Sequence, residues 1–164
     1  MAVYEVIDAA PDHIEQIAAN MRQVDIDECW AQSGTTVREG LRTSLKLSTT
    51  ARVVCVDGTP GAMFGVLDHR EHGGQLWMVG TNLIATHKRA CLECSRREIA
   101  EFRTVYDKLW NYIDARNVHA IRWLRWLGFT LSEPVEHGPF LKPFHLFYWF
   151  RPANAAVEVK VNDR

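Results

Sequence analysis

Residues 109–129 read LWNYIDARNVHAIRWLRWLGF, and this stretch decides the fold. Its first part, Leu109–Asp114, has the pattern of a strand. The helical spacing of apolar residues then predicts a helix over Val118–Leu127, and Gly128-Phe129 leads into a second strand that ends near Ser132. A strand, a helix and a strand in close succession are typical of a domain in which helices cover a sheet.

The helix in this stretch has two different faces. Its aliphatic residues share one face, which predicts packing against a core: Ala120, Ile121, Leu124 and Leu127. Its other side chains place two Trp beside two Arg, and because both residue types dominate interface hot spots they predict a partner contact: Arg122, Trp123, Arg125 and Trp126. The alternative is that the Arg side chains only stack over Trp rings at the surface.

The chain before this stretch begins with one strand and three helices. Residues 3–8 predict the strand, and apolar residues at helical spacing predict an amphipathic helix over 12–24. A shorter helix follows at Asp27–Ala31. Thr35 or Thr36 can cap the third helix.

The rest of the chain predicts further strands and one long helix. The strands are Val53–Val56 and Ala62–Leu67, joined by the turn-rich Asp57–Gly61, then Leu76–Gly80 after the loop His69–Gly74, and finally Phe144–Phe150. The long helix runs from about Lys88 to Tyr106. Together these elements predict a single α/β domain over residues 1–152, with helices covering a mostly antiparallel sheet.

Residues 153–164 form a C-terminal tail. Within it, 157–161 alternates apolar and charged side chains, which suits either an edge strand or a frayed terminus. As an edge strand it could pair with a strand of a partner. Alternatively, the charged side chains of Glu158 and Lys160 could prevent such pairing.

Composition excludes several classes of protein. With 47% apolar and 24% charged residues in 164, the chain is not disordered or collagen-like. A net charge of −1 argues against nucleic-acid binding through bulk charge. The four cysteines make no convincing disulfide framework. No charged leader precedes an apolar run and no window reaches a span of about 20 apolar residues, so we expect no signal peptide, no membrane span and a cytoplasmic setting.

Motifs for common chemistries are missing or weak. Cys91 and Cys94 form a lone CxxC inside the predicted long helix, which favours a structural role. His69 and His72 lie in a polar loop without metal-ligand spacing, and we expect no metal. The sequence has no GxSxG elbow, no Walker loop and no GxGxxG.

The pattern Asn117-x-x-Ala120-Ile121 followed by Leu127-Gly128-Phe129 resembles the last conserved segment of the Gcn5-related N-acetyltransferase (GNAT) fold. The wider match, through LWNYIDARN, AIRWLRWLGF and Pro143-Phe144-His145-x-Phe147, is similar to GNAT-like internal virion proteins of short-tailed phages. This resemblance implies an α/β (α+β) GNAT-like fold, with a central, mostly antiparallel mixed sheet of about six or seven strands flanked by helices.

The resemblance also implies catalytic parts that this sequence lacks. Active members hold the acetyl-CoA pyrophosphate on a (Q/R)xxGxG/A loop before a helix, but the corresponding residues 84–91, IATHKRAC, contain no Gly. The position of the family's Tyr general acid falls on Leu124, with Tyr112 and Tyr148 the nearest substitutes. The strand Leu76–Gly80 carries no carboxylate or His as a general base. Catalytic residues therefore stay unassigned, and we expect no cofactor.

Three functions follow from the resemblance. The main hypothesis is a phage structural or assembly protein that has lost acetyl transfer, located in the virion or the host cytoplasm. Its partners would be other virion or assembly proteins, and a homo-oligomer is left open. The first alternative is a divergent acetyl-CoA-dependent N-acetyltransferase that holds its cofactor through Met78, Val79, Gly80, Lys88, Arg89 and Asn117. The second alternative is a host-targeting binding protein that uses the Trp and Arg side chains of the helix.

These functions differ in whether the groove beside the fourth and fifth strands is open to a cofactor or filled by side chains. In GNAT enzymes the two strands splay apart and admit the pantetheine arm of the cofactor. A Trp77 or Trp110 ring pointing into the gap would block it. We expect a partly filled groove.

Overall fold

The computed structural model describes residues 1–153. Its strands are β1 (Tyr4–Asp8), β2 (Thr50–Val56), β3 (Thr59–Asp68), β4 (Gly74–Gly80), β5 (Lys108–Asp114), β6 (Thr130–His137) and β7 (Lys142–Phe150). Its helices are α1 (Pro11–Asn20), α2 (Gln23–Ser33), α3 (Val37–Leu47), α4 (Leu83–Thr86), α5 (Lys88–Val105) and α6 (Val118–Trp126). None of these helices is both long and apolar enough to cross a bilayer. The alternating stretch 157–161 lies outside the described residues.

The strands form one seven-stranded sheet in the order β1-β2-β3-β4-β5-β7-β6. Every neighbouring pair is antiparallel except β4 and β5, which are parallel. The predicted mostly antiparallel mixed sheet of six or seven strands, flanked by helices, is confirmed.

Helices cover both faces of the sheet. Val54 and Phe64 belong to a core cluster that includes residues of α5 and α6. Their chain neighbours Val53 and Met63 belong to a second cluster with residues of α1 and α3. Because successive side chains of a strand point to opposite faces, both faces of β2 and β3 are buried, which explains their continuous apolar runs.

The helix predicted over 12–24 is present but shorter than expected, because two helices occupy this region. The first ends at Asn20, and Met21 and Arg22 are extended, with ψ of 144° and 141°. Met21 forms a bridge with Thr81, and the Arg22 N–H donates to the Gly80 carbonyl at 2.9 Å. These bonds to the end of β4 stop the helix, so that α2 begins at Gln23 and is longer than the predicted Asp27–Ala31.

Other boundaries differ less. Thr36, one of the two predicted caps, accepts from the Glu39 N–H and caps α3. The strand predicted to end near Ser132 continues as β6 to His137, since a register irregularity between Leu131 and Pro134 accommodates the proline on this edge strand. The short helix α4 was not predicted.

An ion cluster fastens α5 to the sheet. Arg52 of β2 pairs with Glu98, whose side chain is buried, and with the exposed Glu101 at 2.7 Å. Removing one partner of a buried ion pair costs about 3–5 kcal/mol, and less where a second carboxylate remains. We expect Glu98→Ala to lower the free energy of unfolding by about 2–3 kcal/mol in urea titrations. Glu93→Ala, an exposed control on the same helix, should change it by less than about 0.5 kcal/mol. Equal midpoints for the two variants would show that the Arg52 cluster does not stabilise the fold.

Candidate functional site

The parallel strands β4 and β5 separate soon after they meet. Their pairing ends at Gln75 and Trp110, and the remaining lengths of both strands diverge. Asn111 lies where the gap begins, and its side-chain N–H donates to the Leu76 carbonyl. Its Oδ1 accepts from Gln75 at 3.1 Å. A polar side chain therefore closes the narrow end of the gap.

The backbone of β4 borders this gap at alternate residues. The Leu76 carbonyl faces β5, and at the far end the Gly80 N–H leaves the sheet to donate to Asp25 Oδ2 at 2.8 Å. Because backbone groups alternate sides along a strand, Met78 also directs its N–H and carbonyl into the gap, while those of Val79 face β3. Of the predicted cofactor contacts on β4, Met78 has the suitable orientation, and the Gly80 N–H is already bonded.

The first turn of α2 is fixed to the wide end of the gap. Asp25 is buried and accepts two hydrogen bonds from Arg22, each 2.9 Å long, besides the bond from Gly80. Burial raises the pKa of Asp25, although Arg22 and Gly80 act to lower it. This three-way contact holds α2 against the end of β4.

Glu28 lies one turn further along α2. It is half-buried and accepts a hydrogen bond of 3.0 Å from the Asn117 side-chain N–H. Burial raises the pKa of Glu28 to about 7, and the negative charges of Asp25 and Asp114 contribute to the rise. A carboxylate with this pKa can accept a proton near neutral pH. The sequence did not identify Glu28, because nothing in its spacing separates it from Asp25 and Asp27, the other acids of α2.

Asn117, a predicted cofactor contact, uses its side chain within the protein. Its Oδ1 accepts from the Ala120 N–H and so caps α6, while its N–H group donates to Glu28. The structure therefore places Asn117 as the residue that orients Glu28 from the end of β5.

The junction between β4 and α5 contains the short helix α4 instead of an open phosphate loop. Many N–H groups of this junction donate within the protein: those of Thr81, Asn82, Leu83, Ile84, Ala85 and His87. A Cβ at Gly80 would lie 2.3 Å from Ile84 Cδ1, so α4 packs directly on the end of β4. No Gly-rich cradle exists here.

The start of α5 nevertheless presents positive charge. His87 precedes the helix and makes no side-chain cap, so the first-turn N–H groups receive no partner from it. Lys88 and Arg89 are exposed in this turn, and Arg89 pairs with Glu93 at 3.2 Å. The helix dipole and both cations favour an anion at this point.

A shallow trough lies on the α2 side of the sheet. It consists of two depressions of about 520 and 230 Å³ that share Asp27 and Arg116. The larger is lined further by Trp30, Ala31, Phe140 and Lys142, and the smaller by Val24, Asp114 and Asn117. Asn117, which lines the smaller depression, donates to the Glu28 carboxyl group, so one end of the trough lies one hydrogen bond from Glu28.

The two Trp residues expected near the groove make their contacts elsewhere. Trp77 packs against the cluster of α1 and α3 and donates to Ser48 Oγ at 2.8 Å. Trp110 lies at the paired end of β5, with its ring 5.7 Å from His69 and 6.4 Å from Tyr112. The side chain that links β4 to β5 is that of Asn111 rather than a Trp ring.

The positions considered for a general acid are engaged in packing. Leu124 is buried in the core beneath α6. The Tyr112 ring stacks on His137 with centroids 3.9 Å apart, and Tyr148 lies 5.6 Å from Phe150.

The predicted contact patch on α6 is divided between core and surface. Trp123 is half-buried against the core, whereas Trp126 is exposed. Arg122 and Arg125 are exposed, but the guanidinium that covers the Trp126 ring, at 4.6 Å, belongs to Arg96 of α5. A partner contact at this patch stays a prediction.

The cysteine pair has the environment of packing residues. Cys91 and Cys94 are free and half-buried against the core, and burial raises the pKa of both thiols. Within residues 1–153, no group of three or more His, Cys, Asp or Glu side chains is arranged to hold a metal ion.

The sequence matches no family model and no curated protein. Solved structures, in contrast, superpose over nearly the whole chain. The Salmonella typhimurium protein yncA, a proposed acetyltransferase with its cofactor acetyl-CoA, is 15% identical, with a TM-score of 0.69 over 96% of this chain and 99% of its own. An aminoglycoside acetyltransferase in complex with coenzyme A is 13% identical, with a TM-score of 0.67 over 91% and 95%. Ard1 from Thermoplasma volcanium is 10% identical, with a TM-score of 0.70 over 91% and 98%.

These structures correct one expectation and leave another without support. The expectation of no cofactor is contradicted, because yncA and the aminoglycoside acetyltransferase hold acetyl-CoA or CoA on this architecture. None of the three is described as a phage virion protein, so the comparisons support the GNAT-like part of the resemblance and not its phage part. The sheet order and the superpositions together show that this chain has the GNAT fold.

Proposed function

We propose that this protein is an acetyl-CoA-dependent N-acetyltransferase. The observation that carries the proposal is the position of Glu28, which accepts a 3.0 Å hydrogen bond from Asn117 on the helix that Asp25 binds to the end of β4. Burial raises the pKa of this carboxyl group to about 7. A half-buried carboxylate near two others costs stability, and such groups are concentrated at functional sites. A transferase needs such a group to accept a proton from an amine.

The chain offers two places for the cofactor. The gap beside Met78 suits the pantetheine arm, because β4 there turns its backbone N–H and carbonyl away from β3. The first turn of α5, with Lys88 and Arg89, suits the pyrophosphate. When bound, acetyl-CoA would supply a thioester whose acetyl carbon is open to attack by an amine.

Two groups of this chain then act on the reaction. Glu28, oriented by Asn117, accepts the proton of the attacking amine. The Met78 N–H is the donor for the carbonyl oxygen on which negative charge develops. Both groups belong to elements that are fixed without a ligand, since Asp25 bonds α2 to β4.

The missing Tyr does not exclude this function. A thiol has a pKa near 8.5, so a departing thiolate is stable enough at neutral pH to take its proton from solvent. A general acid typically contributes about 10²–10⁴-fold, so its absence slows acetyl transfer without abolishing it. The absent Gly-rich loop should mainly weaken cofactor binding, because fewer backbone N–H groups reach the phosphates.

Acetyl transfer can be tested directly. The purified chain, incubated with acetyl-CoA and a panel of primary amines, should release free thiol, with the acetylated amine detected by mass spectrometry. Calorimetric titration with CoA should show binding in the absence of any amine. No heat of binding together with no thiol release would overturn the proposal.

The phosphate site gives a separate prediction. Lys88→Ala should weaken CoA binding about fivefold, because it removes one charge-assisted contact at the start of α5. Lys46→Ala, an exposed change on α3, is the matched control and should leave the Kd unchanged. Calorimetry at two salt concentrations measures both, and the Lys88 effect should shrink at high salt. The same Kd for the two variants would place the phosphates elsewhere.

A further inference from the structure

The larger depression of the trough, about 520 Å³, is lined by aromatic and charged side chains to which the proposed mechanism gives no role. Trp30 and Phe140 stack with centroids 5.4 Å apart and planes at 26°, and both rings are exposed. Asp27, Arg116 and Lys142 complete the lining. An aromatic wall with charges of both signs suits a small ligand that is itself both apolar and charged.

Backbone packing shapes this depression. Gly138, between β6 and β7, has a φ of +72°, and a Cβ there would lie 2.3 Å from the Ala31 carbonyl oxygen. The hairpin loop can therefore lie directly on the C-terminal half of α2. This contact holds Phe140 beside Trp30, so the aromatic wall exists before a ligand binds.

Two cations of the lining, Arg116 and Lys142, are placed to bind a carboxylate. Arg116 bonds the buried Asp114 through Nε and Nη2, yet 60% of its side chain stays exposed to the trough. Lys142 is exposed nearby, and its charge together with Arg116 lowers the pKa of Asp114. The one acid lining the larger depression is Asp27, which already accepts from Gln23 at 2.8 Å. Arg116 and Lys142 face two acids, Asp27 and Asp114, so the charges of the site balance. Arg116 pairs with Asp114, whereas Lys142 forms no ion pair within residues 1–153, so its ammonium group can take a ligand carboxylate.

We propose that the acceptor is a free α-amino acid with a planar apolar side chain. Its carboxylate binds Arg116 and Lys142, and its ring packs beside Trp30 and Phe140. Its amino group, on the same carbon as the carboxylate, faces the smaller depression on the side of Asn117 and Glu28. The smaller depression lies between the aromatic wall and Glu28, because it shares Arg116 with the larger depression and is also lined by Asn117, the hydrogen-bond partner of Glu28. This inference rests on the proposed acetyl transfer.

Three probes that differ by one group test it: L-phenylalanine, phenethylamine without the carboxylate, and 3-phenylpropionate without the amine. Binding is followed by tryptophan fluorescence in the CoA-loaded protein, and turnover by thiol release. L-phenylalanine should bind at least about tenfold more tightly than phenethylamine, because only it pairs with Arg116 and Lys142. It should also be acetylated with the higher kcat/KM.

Variants separate the contact from a general effect. Lys142→Gln should raise the KM for L-phenylalanine about fivefold to tenfold and leave the KM for phenethylamine unchanged. Lys46→Gln, exposed on α3, should change neither value. Trp30→Leu should weaken binding of both amines, since both carry the ring.

The outcomes distinguish the two proposals. If phenethylamine and L-phenylalanine are acetylated equally well, or Lys142→Gln affects both alike, the amino-acid inference is overturned and acetyl transfer stands. If L-phenylalanine binds, and Lys142→Gln weakens its binding, but no amine is acetylated, the trough is an amino-acid site and the transferase proposal fails. No binding of L-phenylalanine overturns the inference by itself.

Discussion

Replacing Glu28 by Gln is expected to lower kcat/KM for acetyl transfer by about 10²–10⁴-fold, the usual contribution of a general base. Gln keeps the size of the side chain, and its carbonyl oxygen can still accept from Asn117. The amide cannot accept a proton from the amine. Thiol release by the two proteins at saturating acetyl-CoA measures the effect. Glu5→Gln, the same change on the exposed edge strand β1, is the control and should retain full activity.

The pH profile gives a second measure of the same group. Because the pKa of Glu28 is raised to about 7, the base form is the minor one below that pH. The kcat/KM of the native protein should therefore fall as the pH drops through about 7. Protonation of the amine substrate lowers kcat/KM of both proteins as the pH falls, so the Glu28→Gln profile should show that decline alone, without the additional one near pH 7. An identical decline in both proteins would assign the proton acceptor to another group.

The Glu28→Gln variant should be less active than the native protein but, above neutral pH, more stable. The folded protein holds the Glu28 proton more tightly than the unfolded chain, whose Glu has a pKa near 4.5. Ionised Glu28 thus destabilises the fold as the pH rises from about 4.5 to 7, by up to about 3 kcal/mol, and the penalty is constant above that. Glu28→Gln should be more stable than the native protein at pH 8 and equally stable near pH 4. Loss of activity in a more stable variant cannot result from unfolding.

The spacing of apolar residues predicted the helices and strands that bury one apolar face in the core. The strand, helix and strand predicted from 109–129 are all present. The break at Met21 and Arg22 could not be predicted, because it depends on hydrogen bonds to β4, which lies far along the chain. The lengthening of β6 depends in the same way on pairing with β7.

The site was harder to predict than the fold. The sequence of β4 contains no carboxylate or His that could act as a general base. Glu28 lies on a helix and becomes unusual only through burial and its contact with Asn117. Met78 stays a prediction as a cofactor contact, and the alternation of β4 directs its backbone groups into the gap.

Replacing Asp25 by Ala is expected to lower the free energy of unfolding by about 2–4 kcal/mol. Burial raises the pKa of Asp25, so removing its charge from water offsets much of the attraction to Arg22. The loss arises instead from the groups left behind. Arg22, whose side chain is 28% exposed, and the Gly80 N–H would both lose their partner. Urea titration of the variant, with the exposed Asp8→Ala as control, measures the difference.

The same substitution should reduce acetyl transfer beyond its effect on stability, since Asp25 fixes the helix that carries Glu28 to the end of β4. At a temperature where the variant is fully folded, kcat should fall while CoA binding at the start of α5 is retained. Asp25→Asn can still accept from the Gly80 N–H but cannot neutralise Arg22, so its kcat should lie between those of the native protein and Asp25→Ala. Native kcat in a folded Asp25→Ala would mean that α2 keeps its position through packing alone, and the bond to Gly80 would then have no part in the site.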